Sequence, residues 1–157
     1  MLIYIIRHGD AHHSSNTGRD RDRTLTETGH QQAKAVGEFL ANCETVPELV
    51  IASPYTRVQE TATAISNALA QDHHTDDRLG ADRATSEMLS VASDHQHLET
   101  IAIVSHMPTV AEFESLLTQG PASGSTPFMT GELKAIKITG KELIGQGTLI
   151  ERYRLPR

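Results

Sequence analysis

The sequence predicts one α/β domain over residues 1–157: a three-layer sandwich with a mostly parallel central sheet flanked by helices and antiparallel strands closing its C-terminal end. Three observations carry that expectation. Short β-type apolar runs alternate with longer runs of helical periodicity, as in layered α/β architectures. Each of the three strongest β-type runs ends in a polar cluster just before a loop or helix. The C-terminal stretch then changes to strand-like alternation, with no internal repeat and no linker long enough to separate two domains.

Taken in order, Leu2–Ile6 is a buried-strand run that stops at Arg7-His8-Gly9. Residues 10–24, rich in Ser, Asn and alternating Arg and Asp, read as a loop. Thr26 caps a helix running to about Asn42, because Ala33, Val36 and Leu40 recur at helical spacing; Gly29 and Gly37 weaken it. Leu49–Ser53 is a second buried strand. Ser53-Pro54 then supplies a cap and a first-turn proline for a helix to Ala70, with Val58, Ala62, Ile65 and Leu69 down one face. Residues 71–83 form a polar loop, with a short strand expected near Arg78-Leu79. A helix over Thr85–His97 groups Met88, Val91, Ala92 and His95 on one face. Ile101–Val104 is the third buried strand and runs into Ser105-His106-Met107-Pro108. Pro108 suits the first turn of a helix that turns Val110, Phe113 and Leu117 inward. Gly120–Pro127 is loop, and Leu133, Ile136, Ile138 and then Leu149–Leu155 make two strands around a Gly140–Gly147 turn.

Composition removes several function classes. Hydrophobic residues at 38% and charged residues at 22% describe a globular chain rather than a disordered one. Aromatics are only 4%, without Trp, so the core rests on Leu, Ile, Val and Ala. No apolar run approaches the ~20 residues of a membrane span or the ~7–15 of a secretory signal core. A net charge of -6 disfavours a general nucleic-acid surface. The single cysteine, Cys43, excludes an intramolecular disulfide framework and a multi-cysteine zinc site. A cytoplasmic protein is expected. The odd feature is a surplus of histidine, nine in all.

Arg7-His8-Gly9, Ser53-Pro54-Tyr55-Thr56-Arg57 and Ser105-His106-Met107-Pro108 occupy equivalent places, each just after a buried strand. Ligands of open α/β sheets bind in the crevice outside the carboxyl ends of the strands. Parallel, adjacent strands would bring Arg7, Arg57, His8 and His106 together, with helix N-termini after Ser53 and His106 aimed at the same spot. Such a site suits a phosphoryl dianion. Arginine's planar fork meets two phosphate oxygens at once, and histidine serves as nucleophile when neutral or as donor when protonated. Gly9 lets the backbone turn and lets an anion approach without a Cβ in the way. Each fragment alone is an ordinary strand or helix terminus; their joint occurrence in this order is the signal.

Ile6-Arg7-His8-Gly9-Asp10-Ala11, Leu25-Thr26-x-x-Gly29-x-x-Gln32-Ala33, Ser53-Pro54-x-x-Arg57-x-x-Glu60-Thr61-Ala62 and Val104-Ser105-His106-Met107-Pro108 together resemble the histidine phosphatase superfamily. The match runs from residue 2 to about 117 and is most similar to the short SixA-type phosphohistidine phosphatases. The resemblance implies a phosphoglycerate mutase-like fold, a nucleophile at His8, and a phosphate pocket completed by Arg7, Arg57 and a protonated His106, with no metal or other cofactor. It further implies two in-line displacements through a phosphohistidine enzyme. Mutase-like relatives carry Glu after Arg-His-Gly and a nearby Trp-Asn; Asp10, Asn16 at a shifted spacing and the lack of Trp argue against that role. Those relatives also place an acid between the last two motifs. Asp82 and Glu87 are the candidates here for a general acid, though each reads more readily as a solvated surface residue. An imidazole leaving group would need such an acid far less than an alkoxide would.

Only residues 10–24, 71–83 and 118–130 are free to cover the site, so an open pocket that admits a phosphorylated histidine-containing signalling protein is expected. The alternatives are a small-molecule or sugar phosphomonoesterase of the same superfamily and a non-catalytic phosphoprotein-binding module. A monomer without nucleic-acid or membrane partners is expected. His12-His13, His30, His73-His74 and His95-x-His97 read as exposed polar residues, the last pair on different helix faces, with no closed zinc motif. Cys43 reads as a small buried apolar residue. The Arg19–Arg23 run reads as a solvated loop, close enough to the first motif for one of its residues to touch substrate.

Overall fold

Six strands form one sheet in the order β3-β2-β4-β1-β5-β6. They are β1 (Leu2–Arg7), β2 (Leu49–Ala52), β3 (His74–Thr75), β4 (Thr100–Ser105), β5 (Leu133–Ile138) and β6 (Gly147–Tyr153). The computed structural model describes residues 1–121 and 124–156. Neighbours from β3 through β1 are parallel, and β5 and β6 close the sheet antiparallel. The expected mostly parallel centre with antiparallel closing strands is what forms. Residues 122 and 123 of the expected Gly120–Pro127 loop lie outside the described residues.

The pleat explains the layers. Successive side chains of a strand point to opposite faces. Ile3 and Ile5 of β1 therefore enter one core with α3 (Thr85–Asp94) and α4 (Thr109–Gln119), while Tyr4 and Ile6 enter the other with α1 (Glu27–Ala41) and α2 (Thr56–Leu69). Met88, Val91, Val110, Phe113 and Leu117 fill the first; Val36, Leu40, Val58, Ala62 and Ile65 fill the second. The central strands β1 and β4 are largely apolar between their polar end residues Arg7, Thr100 and Ser105 because both their faces are covered. Lys134, on β5, is buried, its Nζ 3.1 Å from Glu114 Oε1 and 4.2 Å from the Phe128 ring centroid, so α4 is tied to the sheet by a desolvated ion pair. No helix among the described residues is long and apolar enough to cross a membrane.

Several boundaries differ from expectation. Thr26 caps α1 as expected, its Oγ1 accepting from the Gly29 amide at 3.1 Å. Helix α2 begins two residues later than Ser53-Pro54 implies: Tyr55 is its N-cap residue, without a side-chain cap bond, because the Ser53 hydroxyl is turned towards His106. Pro108 is likewise the N-cap residue of α4 rather than a first-turn residue. Helix α3 stops at Asp94, short of His97, with His95 as its C-cap residue. The short strand in 71–83 lies at His74–Thr75, and Asp77–Leu79 is a 3-10 turn instead. The Asp76 carboxylate accepts from the Arg78 amide and so favours a turn over an extended ladder.

Candidate active site

The carboxyl ends of β1, β2 and β4 bring four side chains together. Arg7 ends β1 in register with Ser105, the last residue of β4, so His8 and His106 leave the sheet side by side. Their ring centroids are 5.5 Å apart, edge to face. Arg57 enters from the first turn of α2, which follows β2.

His8 is 6% exposed and its Nδ1 lies 2.7 Å from the Gly9 carbonyl. A carbonyl only accepts, so Nδ1 carries the proton and Nε2 presents a lone pair. Arg57 Nε donates to that nitrogen at 3.3 Å. Burial, seconded by the guanidinium groups of Arg57 and Arg7, pushes the His8 pKa down to about 4, so the ring is neutral at neutral pH.

His106 is 2% exposed, with Nε2 2.8 Å from Ser53 Oγ and Nδ1 3.4 Å from a terminal nitrogen of Arg57. The guanidinium only donates, which leaves the proton on Nε2, shared with Ser53. Burial, followed by the charge effects of His8 and Arg57, pushes its pKa down to about 3. In the free site His106 is therefore neutral, as a desolvated imidazole beside a guanidinium is, and the protonated form expected for the reaction is not the resting one. Protonation at Nδ1 requires added negative charge in the pocket.

Arg57 is 4% exposed and every arm of its fork is engaged. Besides the two imidazoles, one terminal nitrogen donates to the Asp20 carbonyl at 2.9 Å and the other to Asp20 Oδ2 at 3.2 Å. Arg7 donates through one terminal nitrogen to the Phe128 carbonyl at 2.7 Å. Its Nε is buried without a hydrogen-bond partner among the described residues. A buried donor left unpaired is costly, and an oxygen of a bound anion is one way to satisfy it.

Gly9 has a different use from the one expected. A Cβ there would lie 2.5 Å from the Gly29 carbonyl, so the space beside it is taken by α1 rather than left for an anion. Its amide donates to Thr61 Oγ1 at 3.1 Å, and its carbonyl holds His8. The adjoining loop completes the support: the Gly131 amide donates to the His8 carbonyl at 2.9 Å, and Gly131 itself sits at φ +68 against Gln32.

Sequence reasoning allowed one residue of the Arg19–Arg23 run near the site but did not single out Asp20. The alternating Arg19–Arg23 stretch does form local pairs, Arg19 with Asp22 at 3.1 Å and Arg23 with Asp20 at 2.9 Å. A short 3-10 turn at Asp20–Asp22 nevertheless turns Asp20 onto Arg57. Burial pulls the Asp20 carboxyl up, but Arg57 and Arg23 outweigh it and hold its pKa below the ordinary value. Nothing in local spacing marks a partner that far along the chain. Glu87 is spent elsewhere: its carboxylate accepts from the Ala84 amide and pairs with Arg83, each at 3.2 Å, closing the first turn of α3. Asp82 is exposed in the turn before it, and among the described residues neither acid bonds to Arg7, His8, Arg57 or His106.

His12, His13, His30, His74 and His97 are exposed as expected, whereas His73 and His95 are partly buried. His73 bridges Ser66 Oγ at 3.0 Å and Gln59 Oε1 at 2.9 Å. Because α3 ends early, the His95 and His97 rings lie 6.2 Å apart rather than on different helix faces. Cys43 is half-buried beside Tyr4, and burial pushes its thiol pKa up. Among the described residues no three His, Cys, Asp or Glu gather as a metal-binding group.

The family model of the histidine phosphatase superfamily (branch 1) matches residues 3–81. The chain is similar to a phosphohistidine phosphatase SixA homolog of Haemophilus influenzae, 30% identical over 124 residues, covering 71% of this chain and 74% of that one. Its fold is similar to that of the protein histidine phosphatase SixA solved with tungstate, at a TM-score of 0.85, 20% identity, and coverage of 98% and 97%. It is also similar to a mycobacterial glucosyl-3-phosphoglycerate phosphatase, at a TM-score of 0.72, 16% identity, and coverage of 95% and 96%.

Proposed function

The chain belongs to the histidine phosphatase superfamily, and from that premise we propose that it hydrolyses phosphohistidine on a protein through a phosphoenzyme at His8. The observation that carries this reading is the His8 ring: neutral, protonated at Nδ1 against the Gly9 carbonyl, with Nε2 unprotonated and held at the pocket by the hydrogen bond it accepts from Arg57. His8 Nε2 attacks phosphorus, the substrate imidazole departs, and water then releases inorganic phosphate. Arg7 and Arg57 carry the positive charge that the equatorial oxygens require, the unpaired Arg7 Nε among the donors. A bound dianion raises the pKa of His106, which then donates from Nδ1 while Ser53 keeps its other nitrogen in place. Charge stabilisation comes from these side chains, and no residue of the site is assigned to a metal.

A phosphohistidine, with its imidazole leaving group, is favoured over a sugar phosphate by the position of the acids near the pocket. Neither acid expected to assist an alkoxide, Asp82 or Glu87, touches it. The test is to incubate the protein with a labelled phosphorylated histidine phosphotransfer domain. Wild type should take up acid-labile label and release phosphate, and His8→Ala should do neither. Much faster hydrolysis of sugar phosphates or phosphoserine than of the phosphorylated domain would establish the small-molecule alternative. Stoichiometric binding without release would establish a binding module.

A further inference from the structure

Resting on the phosphoenzyme reading, we propose that Asp20 is the proton acceptor for the water that hydrolyses phosphorylated His8. Among the described residues it is the one carboxylate hydrogen-bonded to any of Arg7, His8, Arg57 and His106. Its place on Arg57 matters. The Arg57 Nε faces His8 Nε2 at 3.3 Å, and a terminal nitrogen of the same planar group meets Asp20 Oδ2 at 3.2 Å. One guanidinium thus spans the nucleophile and the carboxylate. His8 and Arg57 are buried at 6% and 4% exposure, whereas the Asp20 side chain is 60% exposed. The nucleophile therefore lies at the closed end and the carboxylate at the open end. In-line displacement requires the entering water to approach phosphorus from the side opposite His8, which is the open end.

The second displacement then balances. The water oxygen bonds to phosphorus as the bond from phosphorus to His8 Nε2 breaks. The electron pair of that bond returns to the imidazole, and the water proton passes to the Asp20 carboxylate and on to solvent. Arg23, at 2.9 Å from the other Asp20 oxygen, keeps the carboxylate oriented while Arg57 turns to the phosphoryl group. The same placement bears on the first displacement, when the leaving group occupies the position later taken by water. An ion-paired carboxylate has no proton to give. A substrate imidazole leaves as a stable neutral base without help, whereas an alkoxide does not. The residue that activates water thereby also selects phosphohistidine.

Rapid-quench measurements on Asp20→Asn with the phosphorylated histidine phosphotransfer domain separate the two steps. Labelling of His8 should stay within about twofold of wild type, and loss of that label should slow by about 10²-fold. Asp20→Glu should recover part of the second rate. Equal slowing of both steps in Asp20→Asn would make Asp20 a support for Arg57 and overturn the proposal, as would two unchanged rates. Failure of the wild type to form labelled His8 would instead overturn the phosphoenzyme reading on which the proposal rests.

Discussion

Arg57 shows how much one side chain can organise. Its guanidinium meets His8, His106 and both the carbonyl and carboxylate of Asp20. A lysine offers a point charge on a flexible stem and cannot make these contacts together. Arg57→Lys should therefore lower kcat/KM by about 10²-fold or more, even with the charge retained, as steady-state release of phosphate from the phosphorylated domain would show. Arg7, His8, Arg57 and His106 are legible in the sequence because each lies at or just after a strand end in a compact local pattern. Asp20 is not. Its partner is reached only when β1 and α2 have been docked, and alternating charges in a loop suggest neighbours on the same loop. The neutral state of His106 in the free site is not legible for a related reason, since desolvation depends on what packs around the ring.

At the scale of elements, the contact between the end of β1 and α1 is made backbone to backbone. A Cβ on Gly29 would collide with the Asp10 carbonyl, and one on Gly9 would collide with Gly29. Helix propensity alone says that Gly29→Ala stabilises α1 by about 1 kcal/mol. Tertiary packing reverses the sign: we expect a net loss of about 1–3 kcal/mol, read as a lower urea midpoint at unchanged slope. Gly37 plays the same part against α2, where a Cβ would lie 2.9 Å from that of Ala68. The helices themselves were readable from their apolar spacing. Their first turns were less so, because Ser53 can cap a helix or hold His106, and only the neighbouring strand decides which.

For the whole molecule, the buried histidines couple the site to stability. His8 and His106 titrate at about 4 and about 3 against an ordinary 6.5, with burial the leading cause for each. Between those values the unfolded chain binds more protons than the native one. Their contribution is therefore fully present above pH 6.5 and is lost as pH falls through about 4 and then about 3. Denaturant titrations between pH 7 and pH 4 should show stability falling with acid, on the order of 3 kcal/mol from His8 alone. A flat profile across that range would mean that the rings titrate as exposed histidines do.

The sequence by itself determined the layered architecture, the mostly parallel sheet and the meeting of four side chains at its carboxyl edge. Strand and helix periods are local properties, and parallel strands joined through helices bring their carboxyl ends to one side. The tertiary structure alone decided the strand order, the tautomers of His8 and His106, and the reach of Asp20 to Arg57. Each of these depends on contacts and desolvation between segments far apart in the chain, and those exist only once the layers have closed.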